Sequence, residues 1–191
     1  MAIAQLAGTA IIAAFVIGVV GTALSPPRLY ALPDFGERLK LIEANRNRWN
    51  ASQLVSGVSL VVTAAGILLL TLNLQGAANA WLVNLGGGAY LLGVALGMVY
   101  LYQYTRDPLA SCSNPRPGAF LLAFTLLTLA AGVLFGVAIL QAGFPTWLGY
   151  LLIGYSVVAG AAYLVFNWPA FYILGIFSII ELALGIALLW R

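Results

Sequence analysis

AFYILGIFSIIELALGIALLW, residues 170–190, decides the fold class. It carries one charge, Glu181, and no proline. At about 1.5 Å of rise per residue, a helix of this length matches the roughly 30 Å hydrocarbon core of a bilayer. The stretch is therefore expected to cross a membrane.

The rest of the chain has the same character. Of 191 residues, 63% are hydrophobic and 7% are charged, against about a quarter charged in an ordinary soluble domain. A water-soluble globule is excluded on that ground. The apolar residues, roughly 120 in all, suffice for about six spans and leave no room for a separate soluble domain. Six segments reach spanning length: Ala2 to Leu24, Gln53 to Leu72, Leu82 to Gln103, Ala119 to Gln141, Thr146 to Phe166 and Ala170 to Trp190. The first lacks the positive start of a secretory signal, and a cut after Ser25 would leave Pro26 at the new terminus, so it is expected to be retained. The fold class that follows is all-α: a polytopic six-transmembrane-helix bundle, one integral membrane domain over residues 1–191.

The charges test this placement. Arg28, Asp34, Glu37, Arg38, Lys40, Glu43, Arg46 and Arg48 lie in the first connection, Arg106, Asp107 and Arg116 in the third, and Arg191 ends the chain. Only Glu181 falls inside a span. Because the first and third connections share a side in a six-span chain, the positive-inside rule puts both in the cytoplasm and both termini outside. A cell membrane, inner or plasma, is the expected location. Trp49, Trp81, Trp147, Trp168 and Trp190 fall at or beside span ends, where aromatic belts sit.

The first connection is long enough to hold structure of its own. After Pro26 and Pro27, Asp34 with Glu37 three residues on forms a capping-box pattern. Phe35, Leu39, Ile42 and Trp49 then share roughly one helical face, which predicts an amphipathic interfacial helix over about 35–50. The fourth and fifth connections are so short that the last three spans are expected to be tight antiparallel neighbours. Three successive glycines, Gly86 to Gly88, each weaken a helix by roughly 1 kcal/mol relative to alanine, which leaves a local unwinding or a loosely wound helix end open there.

Small residues recur at spacings of four: Ala14, Gly18 and Thr22; Ala89, Gly93 and Gly97; Thr128, Gly132 and Gly136. Such faces let backbones approach closely in lipid, where water supplies no hydrophobic drive. They are expected to serve helix packing within the bundle, or to face a partner subunit or a second copy.

Glu181 is the most specific feature. Near the middle of a bilayer an acidic residue costs about 2.5–3.5 kcal/mol on insertion scales, so it is expected to point into the bundle. Ser178 and Gly185 share its face. Tyr155 and Ser156 on the fifth span, and Thr63 on the second, lie at similar depth. No cation can reach it, since Arg191 is ten residues on, about 15 Å along the axis. The group is expected to be a neutral acid that hydrogen-bonds internally, with a proton- or cation-coupled site as the alternative role.

Reactive chemistry is sparse. The chain has no histidine, which removes the commonest metal and haem ligand and any Ser–His or Cys–His pair. Its one cysteine, Cys112, cannot form an internal disulfide. No cofactor and no metal site is expected. The net charge of +3 comes from eight basic against five acidic residues without a basic run, so nucleic acid is not an expected partner. Lysine-poor, alanine- and glycine-rich usage is compatible with a bacterial gene of high GC content. The functional expectation is a non-catalytic membrane protein, an accessory or scaffold subunit or a lipid-binding bundle, whose partners are membrane lipids and a larger complex or homo-oligomer. The alternative is a small proton- or cation-coupled transporter using Glu181, and a membrane enzyme ranks last.

Overall fold

The computed structural model describes residues 2–29, 32, 34–109, 118–166 and 168–190, and for Phe35 the backbone only. Cys112, Arg116, Asn167, Arg191 and the Phe35 side chain lie outside that set. Seven α-helices are described: α1 (Ile3–Leu24), α2 (Phe35–Ala44), α3 (Arg46–Leu74), α4 (Ala80–Arg106), α5 (Ala119–Gln141), α6 (Thr146–Phe166) and α7 (Ala170–Leu189). All except α2 are long and apolar enough to cross a membrane.

The six long helices form a closed ring in the order α1, α3, α4, α5, α6, α7. The most extensive contacts are α1 with α3, then α4 with α5, α5 with α6, α1 with α7 and α3 with α4. The sequence-based expectation of three tight terminal neighbours holds for α5 and α6 but not for the last pair. Although only residues 167–169 separate them, α6 and α7 touch slightly, and α7 lies mainly against α1. The reason is steric. Gly8 and Gly185 bring α1 and α7 nearly backbone to backbone, so that a Cβ on Gly8 would lie 2.5 Å from the Gly185 carbonyl oxygen. On α6 and α7, Gly154 and Gly175 have nothing within 4 Å of such a Cβ.

Local chemistry sets the helix ends. Ser25, Pro26 and Pro27 stop α1, since proline supplies no amide and disfavours helix in the residue before it. Asp34 caps α2 by accepting from the Glu37 amide at 2.9 Å. The amphipathic helix anticipated over 35–50 ends at Ala44. Asn45 leaves helical geometry (φ −124°, ψ 35°), and its side chain donates back to the Leu41 carbonyl at 3.0 Å, a local bond that competes with helix continuation. Trp49 therefore sits in the first turns of α3, which starts seven residues before the anticipated span. At the end of α5, Gly143 takes φ 69° and the Phe144 amide reaches the Ile139 carbonyl at 3.4 Å, a Schellman ending that glycine allows without strain. Gly86 to Gly88 lie within unbroken helix. Gly86 faces Leu134 and Phe135 of α5, and Gly87 faces Thr71 of α3, so two neighbours close on α4 there.

Trp49 departs from the aromatic-belt reading. It is fully buried, edge-on to Tyr104 at 4.9 Å between ring centroids, in a cluster with Leu29 and Ile42. Trp81, Trp147, Trp168 and Trp190 are exposed near helix ends. The apolar face of α2 thus covers protein at Ile42, in a cluster that also takes in Leu29 after α1, Trp49 of α3 and Tyr104 of α4.

Candidate functional site

Tyr90 on α4 and Glu181 on α7 meet across the ring. The Tyr90 hydroxyl donates to Glu181 Oε1 at 2.5 Å, and the two residues are 4% and 8% exposed. The helices that carry them are not neighbours in the ring, so this bond spans its interior. Glycines seat both helices deeply enough for the side chains to reach. Gly185, one turn beyond Glu181, packs against Gly8 and Ile12 of α1. Gly93, three residues beyond Tyr90, lets α4 approach Leu127 and the Phe124 carbonyl of α5.

The other nominated residues surround this pair without joining it. Tyr155 donates to the Ile173 carbonyl at 2.6 Å and links α6 to the first turn of α7. Ser178 donates to the Leu174 carbonyl one turn back on its own helix, at 2.9 Å. Thr63 does the same to Ser59, also at 2.9 Å. Ser156 and Thr128 are both buried, and their hydroxyl oxygens have no hydrogen-bond partner among the described residues. Ser156 lies over Gly132, where an added Cβ would collide with its hydroxyl and with the Phe177 ring. The interior therefore holds one satisfied phenol–carboxyl pair and, among the described residues, three buried hydroxyls without a partner on the helices beside it: Thr128 on α5, and Ser156 and Tyr163 on α6. Buried hydroxyls without partners are uncommon.

The chain has no match among protein-family profiles, curated proteins or solved structures.

The packing glycines have identifiable roles inside the bundle. Gly18 faces Ser59 of α3; Gly97 faces Phe124 of α5; Gly136 faces Ile153 and the Gly149 carbonyl of α6. Opposite the glycine face of α1 runs a line of serines on α3. Ser52 donates to the Gly21 carbonyl at 2.7 Å and pairs with Ser25 at 2.7 Å, while Ser59 donates to the Ala14 carbonyl at 2.7 Å.

Sequence reasoning missed Tyr90 as the partner of Glu181, and missed what two arginines do. Arg48 donates from Nε to the Leu24 carbonyl at 2.9 Å and from an Nη to that of Ala23 at 3.3 Å, closing the end of α1. Arg46 donates to the Thr105 carbonyl at 2.5 Å, closing the end of α4. A cation there also complements the negative end of each helix dipole. From the sequence the arginines read mainly as topology determinants, with binding of anionic headgroups diluted by the three acids around them. The clue was present in their position, one side chain's length from two span ends that share a side of the membrane. Among the described residues no group of three or more His, Cys, Asp or Glu residues could hold a metal ion.

Proposed function

We propose that the chain is a non-catalytic multi-pass protein of a cell membrane, an accessory or scaffold subunit that packs within the lipid against a larger complex or a second copy. The Tyr90–Glu181 bond is the observation that supports this reading. The one carboxyl inside a span is committed to holding α7 to α4. What remains for interaction is the apolar perimeter, including the loosely joined α6 and α7. The orientation that goes with this reading puts α2 on the cytoplasmic side and both termini outside. Arg46 and Arg48, which tie the ends of α1 and α4 to the start of α3, support the placing of the first and third connections on one side, and the positive-inside rule makes that side the cytoplasmic one.

Purification from native membranes in mild detergent, followed by mass spectrometry, tests the subunit role. A stoichiometric partner or a defined oligomer is expected, and a monomer with neither would overturn it. Cys112 is a native reporter of orientation. In intact cells it is expected to resist a membrane-impermeant maleimide and to react after permeabilisation; labelling of intact cells would reverse the topology.

The unsatisfied Ser156 and Thr128 hydroxyls favour a second reading, a small proton- or cation-coupled carrier whose solute or water they would bind beside Glu181. In proteoliposomes that reading requires Glu181→Gln to abolish solute-dependent proton movement, and transport at the full rate in this variant would sink it.

A further inference from the structure

Where α1 ends, a cleft of about 360 Å³ opens among Ser25, Pro26, Pro27, Arg28 and Arg48. Two guanidinium groups line it and, among the described residues, no carboxylate does. Its walls are firmly held. Ser25 is paired with Ser52, Leu29 is buried in the cluster with Ile42 and Trp49, and the Leu29 amide bonds to the Pro26 carbonyl at 3.2 Å. Between these anchors Arg28 is exposed and takes φ 65°, the one described non-glycine residue with positive φ. That conformation costs an ordinary side chain about 1 kcal/mol or more. Glycine would make the same turn without strain, so the turn itself does not call for arginine. What arginine adds is a cation on the cleft wall, and it makes no hydrogen bond or ion pair among the described residues.

The end of a helix is ordinarily a poor place for an anion, because its free carbonyls point outward. Here Arg48 satisfies the carbonyls of Ala23 and Leu24 with two of its five N–H donors, and the others are left for a ligand. At about 1.5 Å per residue the 22 residues of α1 cover the hydrocarbon core, so the cleft lies at headgroup depth.

We propose that this cleft binds the phosphodiester of an anionic membrane lipid, with Arg28 as the residue that makes it selective. The proposal rests on the chain spanning a membrane and is independent of whether it is a subunit or a carrier. Free phosphate offers similar chemistry, but a lipid phosphate is already held at this depth.

The test is native mass spectrometry of the full chain in detergent, titrated separately with phosphatidylglycerol, phosphatidylcholine and inorganic phosphate. The wild type is expected to retain phosphatidylglycerol in preference to phosphatidylcholine. Arg28→Gly is expected to weaken that retention roughly fivefold, the effect of one arginine near a headgroup, while its melting temperature without lipid stays equal or rises because the turn is relieved. Should Arg28→Gly fail to fold, Arg28→Gln carries the same readout. Undiminished phosphatidylglycerol retention in the variant, equal retention of phosphatidylcholine by the wild type, or displacement of the lipid by millimolar phosphate would each overturn the proposal.

Discussion

Residues 25–45 separate α1 from α3, yet these helices share the most extensive contact in the bundle; α6 and α7 are joined through residues 167–169 and touch only slightly. Nearness along the chain does not explain the difference. On the α1–α3 seam, Gly18 and Gly21 face Ser59 and Ser56, and the serines of α3 reach carbonyls of α1. Between α6 and α7 the hydrogen bond from Tyr155 to Ile173 is one bridge, and the exposed Gly154 and Gly175 do not seat one helix against the other. In lipid, association depends on close packing and polar links rather than on hiding apolar area from water. A seam of glycine opposite serine meets both needs.

Filling the seam should have the largest effect. At Gly21 a Cβ would lie 2.9 Å from Ser56 Oγ and 3.2 Å from the Ser56 backbone nitrogen. Gly21→Leu is expected to destabilise the bundle by about 3 kcal/mol, as overpacking does at its upper range, and thermal unfolding in detergent would measure it. Ser52→Ala removes the bonds to Gly21 and Ser25 without adding bulk; a loss of about 1 kcal/mol is expected. The same unfolding assay should show Ser52→Ala milder than Gly21→Leu, and the reverse order would mean that hydroxyls rather than close approach hold the seam. On the other side of the ring, Gly175→Leu places its side chain where nothing stands within 4 Å. Its stability should change by less than about 0.5 kcal/mol, as for ordinary surface substitutions. A large loss of folded protein in that variant would show that the exposed face of α7 at Gly175 is covered.

The same contrast explains what could be read from the sequence. Hydropathy and length located all six spans, because a 20-residue apolar run has few other uses. Small residues at spacings of four marked faces such as Gly132 with Gly136, which lie against α6. Pairing was another matter. Counting residues from a common face places Tyr90 and Glu181 at similar depth, but depth says nothing of how each helix is rotated or which helices stand opposite in the ring. Nothing in the sequence therefore sets Tyr90 apart from the other uncharged polar residues inside the spans. Trp49 was misplaced for a related reason: it lies at a span end, as belt tryptophans do, and only the fold of α2 over Leu29 and Tyr104 buries it. α3 begins seven residues before the span read from hydropathy, because Arg46 and Arg48 look like connection residues until their carbonyl partners are known.

If the ring is held closed across its middle by Tyr90 and Glu181, removing one partner strands the other in an apolar interior, at about 1–3 kcal/mol, whereas replacing both with apolar groups should be nearly neutral. A double-mutant cycle of Tyr90→Phe and Glu181→Met, read by equilibrium unfolding, measures this directly. The expected result is that each single variant is destabilised, the double variant is no worse than either, and the coupling is about 1 kcal/mol or more. Effects that add to within about 0.3 kcal/mol would contradict the brace.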